Sequence, residues 1–147
     1  MPGKKMWRGG CLCGSIRFEA EGDPEFPHTC SCRMCQRATG ALTVAWVEFN
    51  RDKVRWIGEG GNPALFRSSE KSSRAFCPRC GSSLGAVDDA PVVALLTGCF
   101  DTPHHLPLKP ASHSYRSGRP AWWHVDVRQP AKGAARLPEG ASEKTES

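Results

Sequence analysis

Ser73-Arg74-Ala75-Phe76-Cys77-Pro78-Arg79-Cys80-Gly81-Ser82-Ser83-Leu84-Gly85-Ala86-Val87 reads as two short strands, over 73–76 and 83–87, joined by a C-x-x-C turn. A redox C-x-x-C needs a strand-to-helix setting, whereas Gly81-Ser82-Ser83 and a strand follow here, so the turn reads as a metal knuckle. Gly81 after Cys80, like Gly14 after Cys13, is expected to leave room for backbone N–H groups to approach the sulfurs.

Outward from this hairpin the same period-two pattern runs from Cys11 to about Thr97, broken by Gly, Pro, Asn and Asp clusters. Ile16, Phe18 and Ala20 alternate with polar neighbours in one strand, and Leu-Thr-Val-Ala-Trp-Val-Glu-Phe at 42–49 forms another. Shorter strands are expected over 54–57, 64–68 and 92–97. One short helix is expected over 32–39, with Ser31 as N-cap and Gly40 ending it. The fold class is mainly β: a small, zinc-stapled antiparallel β domain with one short helix. Its expected limits are 9–127, after an N-terminal extension at 1–8 and before a disordered tail at 128–147. Trp122-Trp123 is expected to anchor the irregular segment after Gly98 on the sheet.

The staple follows from composition. Leu, Ile, Val and Phe supply only 25 of 147 residues, while Gly, Pro and Cys number 15, 12 and 8. So few large aliphatics do not secure a globule alone, which leaves disulfides or metal. The first ten residues lack the apolar run of an export signal, and no window approaches a membrane span. The expected compartment is the reducing cytoplasm, where tightly spaced cysteines serve metals or redox chemistry. The formal charge of +5 suits small anionic ligands better than a nucleic-acid partner, and no Lys/Arg run exceeds a couple of residues. Seven zinc-bound thiolates and two zinc ions would lower it further, to about +2.

Seven cysteines form three groups: Cys11 with Cys13, then Cys30, Cys32 and Cys35, then Cys77 with Cys80. Residues two apart on a strand share a face, so a C-x-C pair sets both sulfurs on one side, as a C-x-x-C turn does. Two such pairs make a closed Cys₄ site of the structural zinc type. Joining Cys13 to Cys77 spans 64 positions. The length-dependent entropy of closing it is ~3.7 kcal/mol, against ~10–16 kcal/mol for structural zinc binding. Cys30, Cys32 and Cys35 then supply three thiolates and leave a fourth coordination position, the pattern of a catalytic zinc. The alternative closes this second site with Cys99, His28 or His113. Cys99 sits in an apolar stretch and reads rather as a buried small hydrophobe. Three thiolates favour a soft fourth ligand, so an open site points to a substrate thiol and its addition to an aldehyde.

Gly10-Cys11-Leu12-Cys13-Gly14, Cys30-Ser31-Cys32-Arg33-Met34-Cys35 with Gly40, and Phe76-Cys77-Pro78-Arg79-Cys80-Gly81-Ser82 resemble the glutathione-dependent formaldehyde-activating (GFA) family, also called the centromere-protein-V/GFA domain. Ser68-Ser69, Gly98 with Asp101, and His113 with Ala121-Trp122 add to the resemblance, which covers about 9–123. It implies a β-tent fold, a structural zinc on Cys11, Cys13, Cys77 and Cys80, and a second zinc on Cys30, Cys32 and Cys35. It further implies a carbon–sulfur lyase of the S-(hydroxymethyl)glutathione synthase type, with glutathione as co-substrate and formaldehyde as the aldehyde detoxified. One departure is Ser31, where family members often carry His. Glutathione carries two carboxylates, and Arg33 and Arg37, spaced i,i+4 on the expected helix, are its candidate contacts. Arg67, Arg74 and Arg79 are weaker candidates. His104, His105 and His113 are possible proton shuttles, though no general base is assigned. Trp46, Trp56, Trp122 and Trp123 are read as core. The reading from another class is a non-catalytic zinc module that binds protein or nucleic acid.

Overall fold

Phe18 and Ala20 are fully buried because alternation puts both on one side of β2 (Arg17–Glu21). β2 pairs antiparallel with β1 (Met6–Gly10) and with β5 (Val54–Trp56) in a three-stranded sheet. The computed structural model describes residues 4–128, so the expected tail beyond Arg128 lies outside the described residues. β1 starts ahead of the expected boundary at 9, since Trp7 is a core residue whose indole N–H donates to the Gly22 carbonyl at 2.9 Å.

The remaining strands are β3 (Glu25–Cys30), β4 (Val44–Asn50), β6 (Ala64–Arg67), β7 (Ser72–Phe76), β8 (Ser83–Asp88), β9 (Val92–Leu96) and β10 (Ser112–Ser114). They form a seven-stranded sheet in the order β10-β3-β4-β9-β8-β7-β6. Every pair is antiparallel, as expected, except that the three-residue β10 lies parallel to β3. β3 and β10 escape the alternation pattern for physical reasons. β3 contains Pro27, its register shifts between Glu25 and His28, and Phe26 is left-handed at φ 45°; β10 is three polar residues long.

Registered pairs share a face, so the two faces of this sheet can be read strand by strand. Val47, Phe49, Val93 and Leu95 point toward the small sheet and pack with Trp7, Phe18, Phe100 and Leu108 in the main core. The opposite face carries His28, Trp46, Leu96, Ala94, Ala86 and Arg74, through the pairs His28–Trp46, Trp46–Leu96, Ala94–Ala86 and Ala86–Arg74. Among the described residues the single α-helix, α1 (Arg33–Thr39), follows β3 and ends at Gly40 as expected. Its N-cap is Cys32 rather than Ser31, because the Ser31 hydroxyl is committed elsewhere, to Thr43 and His113. Among the described residues no helix is long and apolar enough to cross a membrane.

Candidate metal centre

Cys11 and Cys13 lie on the turn after β1, and Cys77 and Cys80 lie on the turn between β7 and β8. Their four sulfurs lie within 4.8 Å of one another. Cys13 Sγ is 3.6 Å from Cys11 Sγ and 3.8 Å from Cys77 Sγ. A tetrahedral zinc with Zn–S of about 2.3 Å places its sulfurs about 3.8 Å apart, so the group fits the ion. Backbone N–H groups of Ile16, Arg79 and Cys80 donate to the Cys11 and Cys77 sulfurs at 3.3–3.4 Å, and Leu12 N–H to Ser82 Oγ at 3.0 Å links the two turns. The hydroxyl and N–H of Ser82 hold the Cys80 thiol down at about 5, ready to ionise. Gly14 and Gly81 sit at φ 82° and 79°, and a Cβ on either would meet nothing within 4 Å. The turns need glycine for its left-handed backbone, not for the room that the sequence suggests.

Cys30 ends β3, Cys32 caps α1 and Cys35 lies in its first turn, a strand-to-helix corner that converges three sulfurs. Cys30 and Cys35 sulfurs are 3.6 Å apart, and Cys32 Sγ accepts from the Cys35 N–H at 3.3 Å. Among the described residues no fourth Cys, His, Asp or Glu donor joins them. His113 Nε2 instead lies 2.8 Å from Ser31 Oγ, and the His28 ring bonds the Phe26 carbonyl at 2.7 Å. Cys99 sulfur donates to the Ser83 carbonyl at 3.2 Å, and burial pushes its thiol up to about 11. Burial likewise pushes the Cys30 thiol up to about 12, a proton that a bound cation would displace.

The trio opens on a cleft of 580 Å³ on the outer face of the large sheet. Ala86 and Ala94 lie side by side on its floor, and their small side chains leave the room. A second cleft, of 640 Å³, touches no cysteine but shares Met34, Trp46 and Arg74 with the first. The site is therefore placed in the smaller cleft, with the larger as its continuation past Arg74.

This chain matches the family "Glutathione-dependent formaldehyde-activating enzyme" over residues 6–118, more than half its length. The chain belongs to that family. A crystal structure of a Rhodobacter sphaeroides protein is similar in fold, with a TM-score of 0.55 at 17% identity, covering 73% of this chain and 99% of that one. No curated protein matches.

In this GFA-family protein Arg33 and Arg37 stand on the exposed side of α1 and line the larger cleft. Arg33 also donates to Gln36 Oε1 at 2.7 Å. Arg67 is engaged by both Asp89 carboxylate oxygens, and Arg79 is an exposed residue of the knuckle. Arg74, ranked with these two by sequence, is instead at the centre, its guanidinium nitrogens 3.7 and 3.8 Å from Cys35 Sγ and its head 5.3 Å from the Trp46 ring centre. His104 and His105 pack on each other, and His105 on Trp7, outside this cleft. Trp46 is buried as expected; Trp122 and Trp123 are exposed rather than core, and Trp123 donates to Thr43 Oγ1 at 3.0 Å.

Sequence reasoning missed the clasp behind the trio. Ser31, fully buried between two cysteines, bonds Thr43 Oγ1 and His113 Nε2 at 2.8 Å each, and its N–H donates to the Ser114 carbonyl at 3.1 Å. Gln36 Nε2 donates to the carbonyls of Leu42 and Gly118. At Gly118 a Cβ would fall 2.3 Å from the Ser31 carbonyl oxygen, so the backbones approach closely there. His113 and Gly118 each lie 82 positions from their partners, and no local pattern announces them.

Proposed function

We propose that this protein is a cytoplasmic zinc enzyme that joins a small thiol, glutathione, to a small aldehyde, formaldehyde, as an S-(hydroxymethyl)glutathione synthase. The observation that carries the reading is a trio of sulfurs, without a fourth protein donor among the described residues, set in the wall of a 580 Å³ cleft. In this reading Cys11, Cys13, Cys77 and Cys80 hold a structural zinc, and Cys30, Cys32 and Cys35 a second one. A zinc ion there would keep a substrate thiol ionised near neutral pH.

The chain's own residues do the rest. The cysteine trio fixes the place where the substrate sulfur arrives, and the alanine floor admits the aldehyde beside it. Sulfur gives up its proton and forms a bond to the carbonyl carbon; the carbonyl π pair moves to oxygen, which takes a proton, and the reverse sequence breaks that carbon–sulfur bond. Arg33 and Arg37, on the continuation of the cleft, are positioned for the carboxylates of glutathione. The test is exchange between free formaldehyde and its glutathione adduct, followed by magnetisation transfer. Zinc-replete protein should exceed the spontaneous rate and Cys35→Ser should return it to that rate; an unaccelerated wild type refutes the proposal.

A further inference from the structure

We propose that Arg74 is a positioning residue of this site, whose fixed positive charge makes the trio accept an anionic thiolate as its fourth ligand. The inference rests on the thiol-binding reading above and concerns what makes that binding favourable.

Three thiolates around a divalent zinc carry a net charge of −1, and a fourth thiolate makes it −2. Charge of one sign accumulating in a partly buried cleft is costly unless a fixed cation stands close. Arg74 is that cation. It sits mid-strand on β7 in register with Ala86 of β8, which is in register with Ala94 of β9, so the side chain lies over two alanines and reaches across the sheet. Its head rests against Trp46 and both terminal nitrogens face Cys35 Sγ, in a cation–π and fork arrangement that holds a guanidinium in one orientation.

What Arg74 does not do is equally informative. Glu48 occupies the same register row through Ala94, and Asp88 lines the same cleft, yet among the described residues Arg74 makes no ion pair with either. Its Nε is buried without a partner. A guanidinium that pairs with no carboxylate of the cleft and lies against a sulfur is placed for the sulfur site, and it stands at the ridge where the two clefts meet. Arg33 and Arg37 are exposed and line the cleft that, among the described residues, holds no cysteine, so they do not duplicate this role.

The experiment uses 2-mercaptoethanol, which has no carboxylate for Arg74 to bind. Cobalt(II)-substituted wild type, Arg74→Gln and Arg74→Lys are titrated with it, and the sulfur-to-metal charge-transfer absorption is followed. Expected is binding to wild type, weakening by at least tenfold in Arg74→Gln, equivalent to about 1.4 kcal/mol, and partial retention in Arg74→Lys. Metal content and circular dichroism should be equal in all three. Equal thiol affinity in wild type and Arg74→Gln overturns the role of Arg74 while leaving the thiol reading intact. A wild type blind to the thiol overturns both. If Arg74→Gln fails to fold, Arg74→Met takes its place: a tenfold loss of thiol affinity in that folded, metal-loaded variant supports the charge, and affinity equal to wild type overturns it.

Discussion

Ser31 shows how much one side chain can carry at this site. Its hydroxyl is fully buried and has two partners, Thr43 and His113, so Ser31→Ala leaves both without their bond. The expected loss is about 1–3 kcal/mol of stability, read by denaturant titration, together with weaker metal retention by the trio. His113→Ala removes only one partner and should cost less, because Thr43 still serves Ser31. The departure from His at position 31 was legible in the sequence; the histidine that meets it from position 113 was not. Arg74 teaches the same lesson. Sequence ranks it with Arg67 and Arg79, and only the placement of Ala86, Ala94 and Trp46 separates the three.

Among elements, β4 and β9 were legible, whereas β1, which also alternates over five residues, falls largely in the expected N-terminal extension. β4 and β9 lie close to their expected spans because each has a buried face and few breaks. β3, which delivers Cys30, was hidden by Pro27 and a register shift, and β10 by its length. The two sheets are also tied outside the core, where both nitrogens of Arg17 on β2 donate to the Asp101 carboxylate at 2.9 and 2.6 Å beyond β9. That guanidinium holds the Asp101 carboxyl below its ordinary 3.8. A depressed carboxyl stabilises the fold above its unfolded value and loses that contribution as pH falls through the folded one. Wild type should therefore lose this increment below about pH 4, and Asp101→Asn should lack it at neutral pH. The pair is half exposed, so the difference is about 0.5–1 kcal/mol after screening, measured by thermal melts from pH 3 to 7.

For the whole molecule the two cysteine groups have different consequences. Cys77 is fully buried and its group joins the turn of the small sheet to a turn of the large one, so Cys77→Ser should abolish the cooperative melt and the β-sheet dichroism. Cys35 serves a corner within one sheet and its helix, so Cys35→Ser should fold and hold one zinc instead of two. Metal analysis and circular dichroism check both variants, and equal unfolding would make both sites structural. The grouping of the seven cysteines, the β class and the approximate spans of seven strands were legible in sequence alone, because ligand spacing and alternation are local properties of a chain. Tertiary structure decided which cation faces the sulfurs, what clasps their loop and why the cleft is open. Those depend on side chains from strands distant in sequence lying in one register, and register is set by the packing of the whole sheet.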